Sequence, residues 1–175
     1  MNSFNIKYNY SNKNSLEENI LKYPRETGPF TITSTTAYIT IKIDGKLVKG
    51  AHWGSEKLKS IATTSVWLWD FCILLTYETI RIGDGKIHKV HPIDDPTILT
   101  FVKENDLVTV TASAGYVPLQ TKVSYSKFMQ EILWLVDSFV SDLVSINPRI
   151  SGNDQFKQII EGRNKIKKML EEASA

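Results

Sequence analysis

Cysteine is all but absent from the 175 residues: Cys72 stands alone, inside an apolar run. That excludes an intramolecular disulfide and a cysteine-rich zinc site, and marks Cys72 as a small buried side chain rather than a reactive thiol. Arginine is scarce as well. Arg25, Arg81, Arg149 and Arg163 are the only four, so 17 of the 21 basic residues are lysine. Nucleic-acid modules favour the planar guanidinium for phosphate and base-edge contacts. With a net charge of only +2, neither nucleic acid nor an anionic membrane surface is an expected partner. Nine glycines and six prolines are too few for a collagen-like or low-complexity chain.

The first 19 residues are polar, rich in Asn and Ser, and lack the apolar core of a signal peptide. The most hydrophobic stretch, Ile61–Tyr77, approaches the length of a short membrane span. It carries Asp70 centrally, has Thr63, Thr64 and Ser65 near its start, and lacks basic flanks. It reads as a core segment, and a cytoplasmic protein is expected.

What is present has the length and composition of one globular domain. Residues 1–14 read as a loose leader. Ser15–Tyr23 carries a helix signature: Ser15 and Glu18 match a capping box, Leu16 and Ile20 share a face, and Pro24 closes the segment. From Phe30 to Ile43 a strand is expected, with Tyr38, Thr40 and Lys42 on one side and Ile39, Ile41 and Ile43 on the other. Asp44-Gly45 supplies a tight turn, and Leu47-Val48 begins the return strand. Val66–Ile80 is apolar nearly all round, which favours a buried helix by its length, although its Val, Ile, Trp, Phe and Tyr content also suits a strand. A second hairpin is expected from Ile80-Arg81-Ile82 through Gly83-Asp84-Gly85 to Ile87–Val90. Strands follow at Ile98–Val102, around Leu107–Val110, and at Val117–Val123.

The period then changes. From Ser126 to Ile146 two adjacent apolar rows, Phe128/Ile132/Leu135/Phe139/Leu143 and Met129/Leu133/Val136/Val140/Val144, predict a helix lying deep against the sheet. Asn147-Pro148 stops it. Ser151 and Asp154 resemble a capping box for a last helix with Phe156, Ile159, Ile160, Ile166 and Leu170 inward, weakened at Gly162 by roughly 1 kcal/mol relative to Ala. Strands in runs and helices in runs indicate an α+β fold: a single domain over 30–175, its antiparallel, meander-like sheet packed against one buried helix and two C-terminal helices. Residues 1–28 stand before it as a polar leader with a short helix.

Few constellations carry chemistry. His88-x-x-His91-x-x-Asp94, with Asp95, has the residue types of a divalent-metal site. Residues three apart on a strand project to opposite faces, and Pro92 and Pro96 make the second half a loop, so exposed loop residues are the expected reading. Gly83-Asp84-Gly85-Lys86 lacks the spacing of a phosphate loop, and no G-x-S-x-G elbow is present. Asp70 and Glu78 lie eight apart, roughly on one helix face; a helix-edge Asp bonded to backbone or a lysine is expected over a catalytic acid. The first hairpin is locally basic (Lys42, Lys46, Lys49, Lys57 and Lys59 against Asp44 and Glu56), and Tyr38 and Trp53 beside it suit a binding face. Residues 61–104 are net acidic, and such a charge dipole can steer a protein partner.

The edge-rich antiparallel sheet and the run Val123–Ile132 (V-S-Y-S-K-F-M-Q-E-I) entering an amphipathic helix resemble the small immunity proteins of bacterial polymorphic and contact-dependent toxin systems, over roughly residues 30–170. The resemblance implies a protein that binds one cognate toxin domain and blocks its active site; because no catalytic set stands out in the polar inventory, a non-enzymatic binder without cofactor or metal is expected. The near-neutral charge departs from the strongly acidic members of those families. Trp53, Tyr38, His91, Asp94 and Asp95 are the residues expected at the partner surface, since loops and sheet edges anchored by Trp or Tyr suit recognition. Two other readings stay open: a small enzyme with a pocket between sheet and helices, using Asp70 or the histidine loop, and an assembly subunit whose C-terminal helices pair with another chain.

Overall fold

A computed structural model describes residues 2–22, 36–50, 62–92, 97–115 and 117–173. The segment expected as a loose leader is a strand. In β1 (Phe4–Tyr10) Phe4 and Ile6 are buried, and β1 pairs antiparallel with β2 (Thr36–Ile43) from Phe4 opposite Ile43 to Tyr10 opposite Ala37. The physical reason is an alternation hidden by polar composition: Phe4, Ile6, Tyr8 and Tyr10 share one face, and Asn5, Lys7 and Asn9 the other. Residues 4–10 therefore add a strand to the folded unit expected to begin at residue 30.

The Asp44-Gly45 turn forms as expected. Both residues take positive φ, 50° and 77°, and lead into the short β3 (Lys46–Leu47). This backbone twist matches that of the flanking strands. β4 (Thr64–Trp67) pairs with β2 on the same side as β3, so β2 lies at the centre of a four-stranded antiparallel sheet. The described part of the strand expected from Phe30 is Thr36–Ile43, with Ile39, Ile41 and Ile43 buried.

Helix α1 (Lys13–Lys22) starts two residues earlier than its sequence signature. Asn12, not Ser15, caps it: Asn12 Oδ1 accepts from Ser15 N at 3.1 Å. Helix α2 (Leu68–Ile80) settles the helix-or-strand question for the apolar segment in favour of helix after one short strand. The hairpin expected next does not form, because α2 runs through Ile80. Residues 81–86 connect it to β5 (Ile87–Val90), with Gly85 N, at φ 71°, donating to Lys103 O at 2.7 Å. β5, β6 (Thr97–Glu104), β7 (Leu107–Ala114) and β8 (Leu119–Ser124) form the expected antiparallel meander as a second four-stranded sheet.

Helix α3 (Tyr125–Ile146) is capped by Ser124 Oγ, which accepts from Lys127 N. Its Phe128 joins the two sheets, stacking on Phe4 of β1 at 5.9 Å and tilting on Phe101 of β6 at 4.9 Å. Asn147 ends the helix and reaches back to α1, where its Nδ2 donates to Ile20 O at 3.1 Å. A 3-10 turn (Pro148–Gly152) separates α3 from α4 (Asp154–Ala173). The cap of α4 is the fully buried Asn153, not Ser151: Asn153 Oδ1 accepts from Phe156 N at 3.1 Å. Trp69 on α2 meets Phe139 of α3 edge-on at 5.9 Å and lies 6.4 Å from Phe156 of α4, so the three helices share one aromatic centre. The fold is α+β, two antiparallel sheets with helices. Among the described residues no helix is long and apolar enough to cross a membrane.

Candidate functional site

Strand alternation builds the site. The inner face of the first sheet buries Phe4, Ile6, Ala37, Ile39, Ile41, Ile43 and Val66, which turns the intervening residues outward. Along β2 these are Thr36, Tyr38, Thr40 and Lys42. Asn9 and Ser65 stand opposite Tyr38 on either side, Lys7 stands opposite Thr40, and Asn5 opposite Lys42. Trp67, two positions beyond Ser65 on the same face, is 49% exposed. Trp134 of α3 is equally exposed, and Lys7 Nζ lies 5.8 Å from the centre of its ring. The outer face thus carries half-buried Tyr38, exposed Trp67 and two lysines, with no side chain of opposite charge among the described residues of its strands.

At one rim Trp67 meets Asp70, Phe71, Leu74 and Pro92 around a dimple of about 10 Å³, room for about one water. His91, exposed, directly precedes Pro92. Of the residues expected at the partner surface, Tyr38 therefore lies on the outer face and His91 adjoins its rim, while Trp53, Asp94 and Asp95 fall outside the described residues. Trp67 was not singled out in the sequence because it sits inside an apolar run. The signal that finds it is the pairing of β4 with β2, which turns odd-numbered β4 residues outward. No hydrogen bond reaches Asp70 from the described residues, and burial holds its carboxyl above the usual range.

The histidine cluster divides. His88 lies on β5, in the strand expected at Ile87–Val90, and is buried rather than exposed because the inward alternation of that strand includes it. Its ring stacks on Phe101 at 5.6 Å, and Nδ1 lies 3.0 Å from Glu78 Oε2 of α2. Nε2 is buried without a partner among the described residues. A general base needs a substrate proton within hydrogen-bond reach, and a buried Nε2 offers no route to one. The pair clamps α2 to β5. Among the described residues no three His, Cys, Asp or Glu side chains gather as a metal site. Cys72 is fully buried, which pushes its thiol pKa up and keeps it protonated.

A larger cleft of about 300 Å³ opens between α1 and α3, lined by Lys13, Glu17, Leu21, Asp142, Ser145 and Ile146. On its floor Asp142 Oδ2 accepts from Tyr8 Oη at 2.7 Å and Tyr10 Oη at 3.0 Å. Burial pushes both tyrosine pKa values up, first of all causes; contact with Asp142 adds to the rise at Tyr8, as proximity to Tyr8 does at Tyr10. Both hydroxyls therefore remain donors, and the arrangement ties β1 to α3. Among the described residues neither Asp70 nor a histidine lines this cleft. No family model, no curated protein and no solved structure matches the chain.

Proposed function

We propose that this protein is a non-enzymatic protein-binding module, in its most concrete form an immunity protein that binds and neutralises a cognate bacterial toxin domain in the cytoplasm. The observation that carries the reading is Trp67, half exposed on a regular sheet face with Tyr38 beside its cross-strand neighbour Ser65. A large ring held by strand and helix backbone loses little conformational freedom on binding, and Trp and Tyr are enriched among residues that dominate interface energies. The face is mounted on the central strand β2, whose pairing on both sides keeps it rigid, and rigid presentation favours tight binding.

The test is co-expression with the product of the adjacent gene, which this reading expects to be a toxin that arrests growth when expressed alone. The intact protein is expected to restore growth and co-purify with the toxin. Trp67→Ala is expected to weaken the complex by about 2 kcal/mol or more while leaving the melting curve nearly unchanged. Absence of both complex and protection with the intact protein overturns the reading.

A further inference from the structure

We infer that the outer face of the first sheet takes an acidic protein surface, with Trp67 as its apolar anchor; this rests on the protein-binding reading and specifies the chemistry of the partner. Lys7 and Lys42 stand on adjacent strands, each opposite an uncharged residue, Thr40 and Asn5. Diagonal neighbours of this kind lie roughly 7–8 Å apart, a separation that two carboxylates of one partner segment can match.

The acids nearest this face are turned to other work. Asp44 Oδ1 accepts from Ser3 N at 2.7 Å and from Thr121 Oγ1 at 2.9 Å. Those bonds hold its carboxyl below the usual range, the Ser3 amide first. Glu131 Oε2 accepts from Asn5 Nδ2 at 3.0 Å. Lys7 has the Trp134 ring rather than a carboxylate, and Lys42 has no acid partner among the described residues. Both acids stay ionised, but neither pairs with Lys7 or Lys42 among the described residues, so these two lysines can take a carboxylate from outside. Trp67 and Tyr38 supply the desolvated centre that a polar, charged rim surrounds in protein interfaces.

A protein rather than a nucleic acid is the better match. Strands that track a phosphate backbone need a run of cations, and arginine is the residue that recognises phosphate by its fork. No arginine occurs among the described residues of the face: Arg81 follows α2, Arg149 lies in the 3-10 turn and Arg163 on α4. Charges at a rim act mainly by accelerating encounter, so the attraction falls with salt.

The experiment uses the full chain and three probes: a short Glu-rich peptide containing phenylalanine, its counterpart with glutamine at every glutamate, and an oligothymidylate of similar length. Amide NMR shifts are followed at low and high salt. The acidic peptide is expected to give saturable shifts around Lys7, Tyr38, Lys42 and Trp67, with affinity falling as salt rises. A Lys7→Glu/Lys42→Glu double variant that melts like the parent is expected to bind it about tenfold more weakly or worse. Equal binding of the glutamine counterpart, shifts on another surface, no binding at all, or tighter binding of the oligothymidylate overturns the inference. The two readings fail separately. If the intact protein neutralises the toxin and Lys7→Glu/Lys42→Glu does so equally well, the acidic-partner inference falls and the binding-module reading stands.

Discussion

Gly162→Ala offers a sharp test of the helix packing, because two effects of similar size oppose each other. In an isolated helix the substitution stabilises by about 1 kcal/mol, since Ala gives up less backbone freedom than Gly. In this fold Gly162 of α4 faces Thr76 of α2. A Cβ built at Gly162 meets Thr76 Cβ at 3.1 Å, Oγ1 at 3.2 Å and Cγ2 at 3.6 Å. Thr76 is poorly placed to turn aside, for its hydroxyl donates to the carbonyls of Cys72 and Ile73 at 2.8 and 2.9 Å. Relief must then come from moving a helix whose neighbours Trp69, Phe71, Cys72 and Leu75 are fully packed, and overpacking of this kind costs about 1–3 kcal/mol. The expected net effect is destabilisation by about 1 kcal/mol, read as a lower urea midpoint at unchanged slope. Thr76→Ala removes Oγ1 and Cγ2 and leaves only the Cβ contact. Because the shortest contact, to Cβ at 3.1 Å, remains in that background, the penalty of Gly162→Ala should shrink only in part, by less than about 1 kcal/mol, a coupling that a double-mutant cycle reads directly. Stabilisation by Gly162→Ala in the parent refutes the close approach as the reason for glycine.

Three further outcomes follow from the packing. His88→Ala should cost about 2–3 kcal/mol by chemical denaturation, because it strips the ring from Phe101 and leaves Glu78, whose side chain is only 20% exposed, without its partner; a loss under about 0.5 kcal/mol contradicts the clamp. Asn153→Ala should destabilise by about 1 kcal/mol or more through loss of the α4 cap, whereas Ser151→Ala should leave the urea midpoint unmoved; the reverse ranking restores Ser151 as the cap. For Asp70, burial raises the folded-state pKa above the unfolded one, so its contribution is fully present below the unfolded pKa and lost as pH rises through the folded value. Asp70→Asn lacks that loss. Its stability relative to the parent should therefore rise with pH across the carboxylate range and then level off, and a difference flat in pH speaks against desolvation of this group.

The elements legible in the sequence are those in which local period and burial agree. Ile39, Ile41 and Ile43 alternate against Tyr38, Thr40 and Lys42, and the Asp44-Gly45 pair demands positive φ; both are properties of a few consecutive residues. The broad apolar face of α3, from Phe128 to Leu143, is likewise local. β1 had the same alternation, but its Asn and Lys content masked it, since a strand that covers a hydrophobic sheet with one side can be polar on the other. The candidate site was legible only in Tyr38 and, at its rim, His91. Trp67 came to light through pairing of β4 with β2, because a run of apolar residues does not say which of them faces outward.

The sequence by itself determined where strands and helices of strong period lie, because backbone geometry imposes that period on the residues of each element. Tertiary structure alone decided which ends and faces meet. It seated Asn153 rather than Ser151 at the start of α4, made a helix end of the expected hairpin at Ile80, and drew His88 inward onto Glu78 and Phe101. It also decided what Gly162 is for. Read along the chain it is a weak point in a helix; read against α2 it is the position where the side chain of Thr76 leaves no room for another carbon. Such choices depend on contacts between residues far apart in sequence, and those contacts are selected by packing and by the pairing of buried polar groups, which no local pattern encodes.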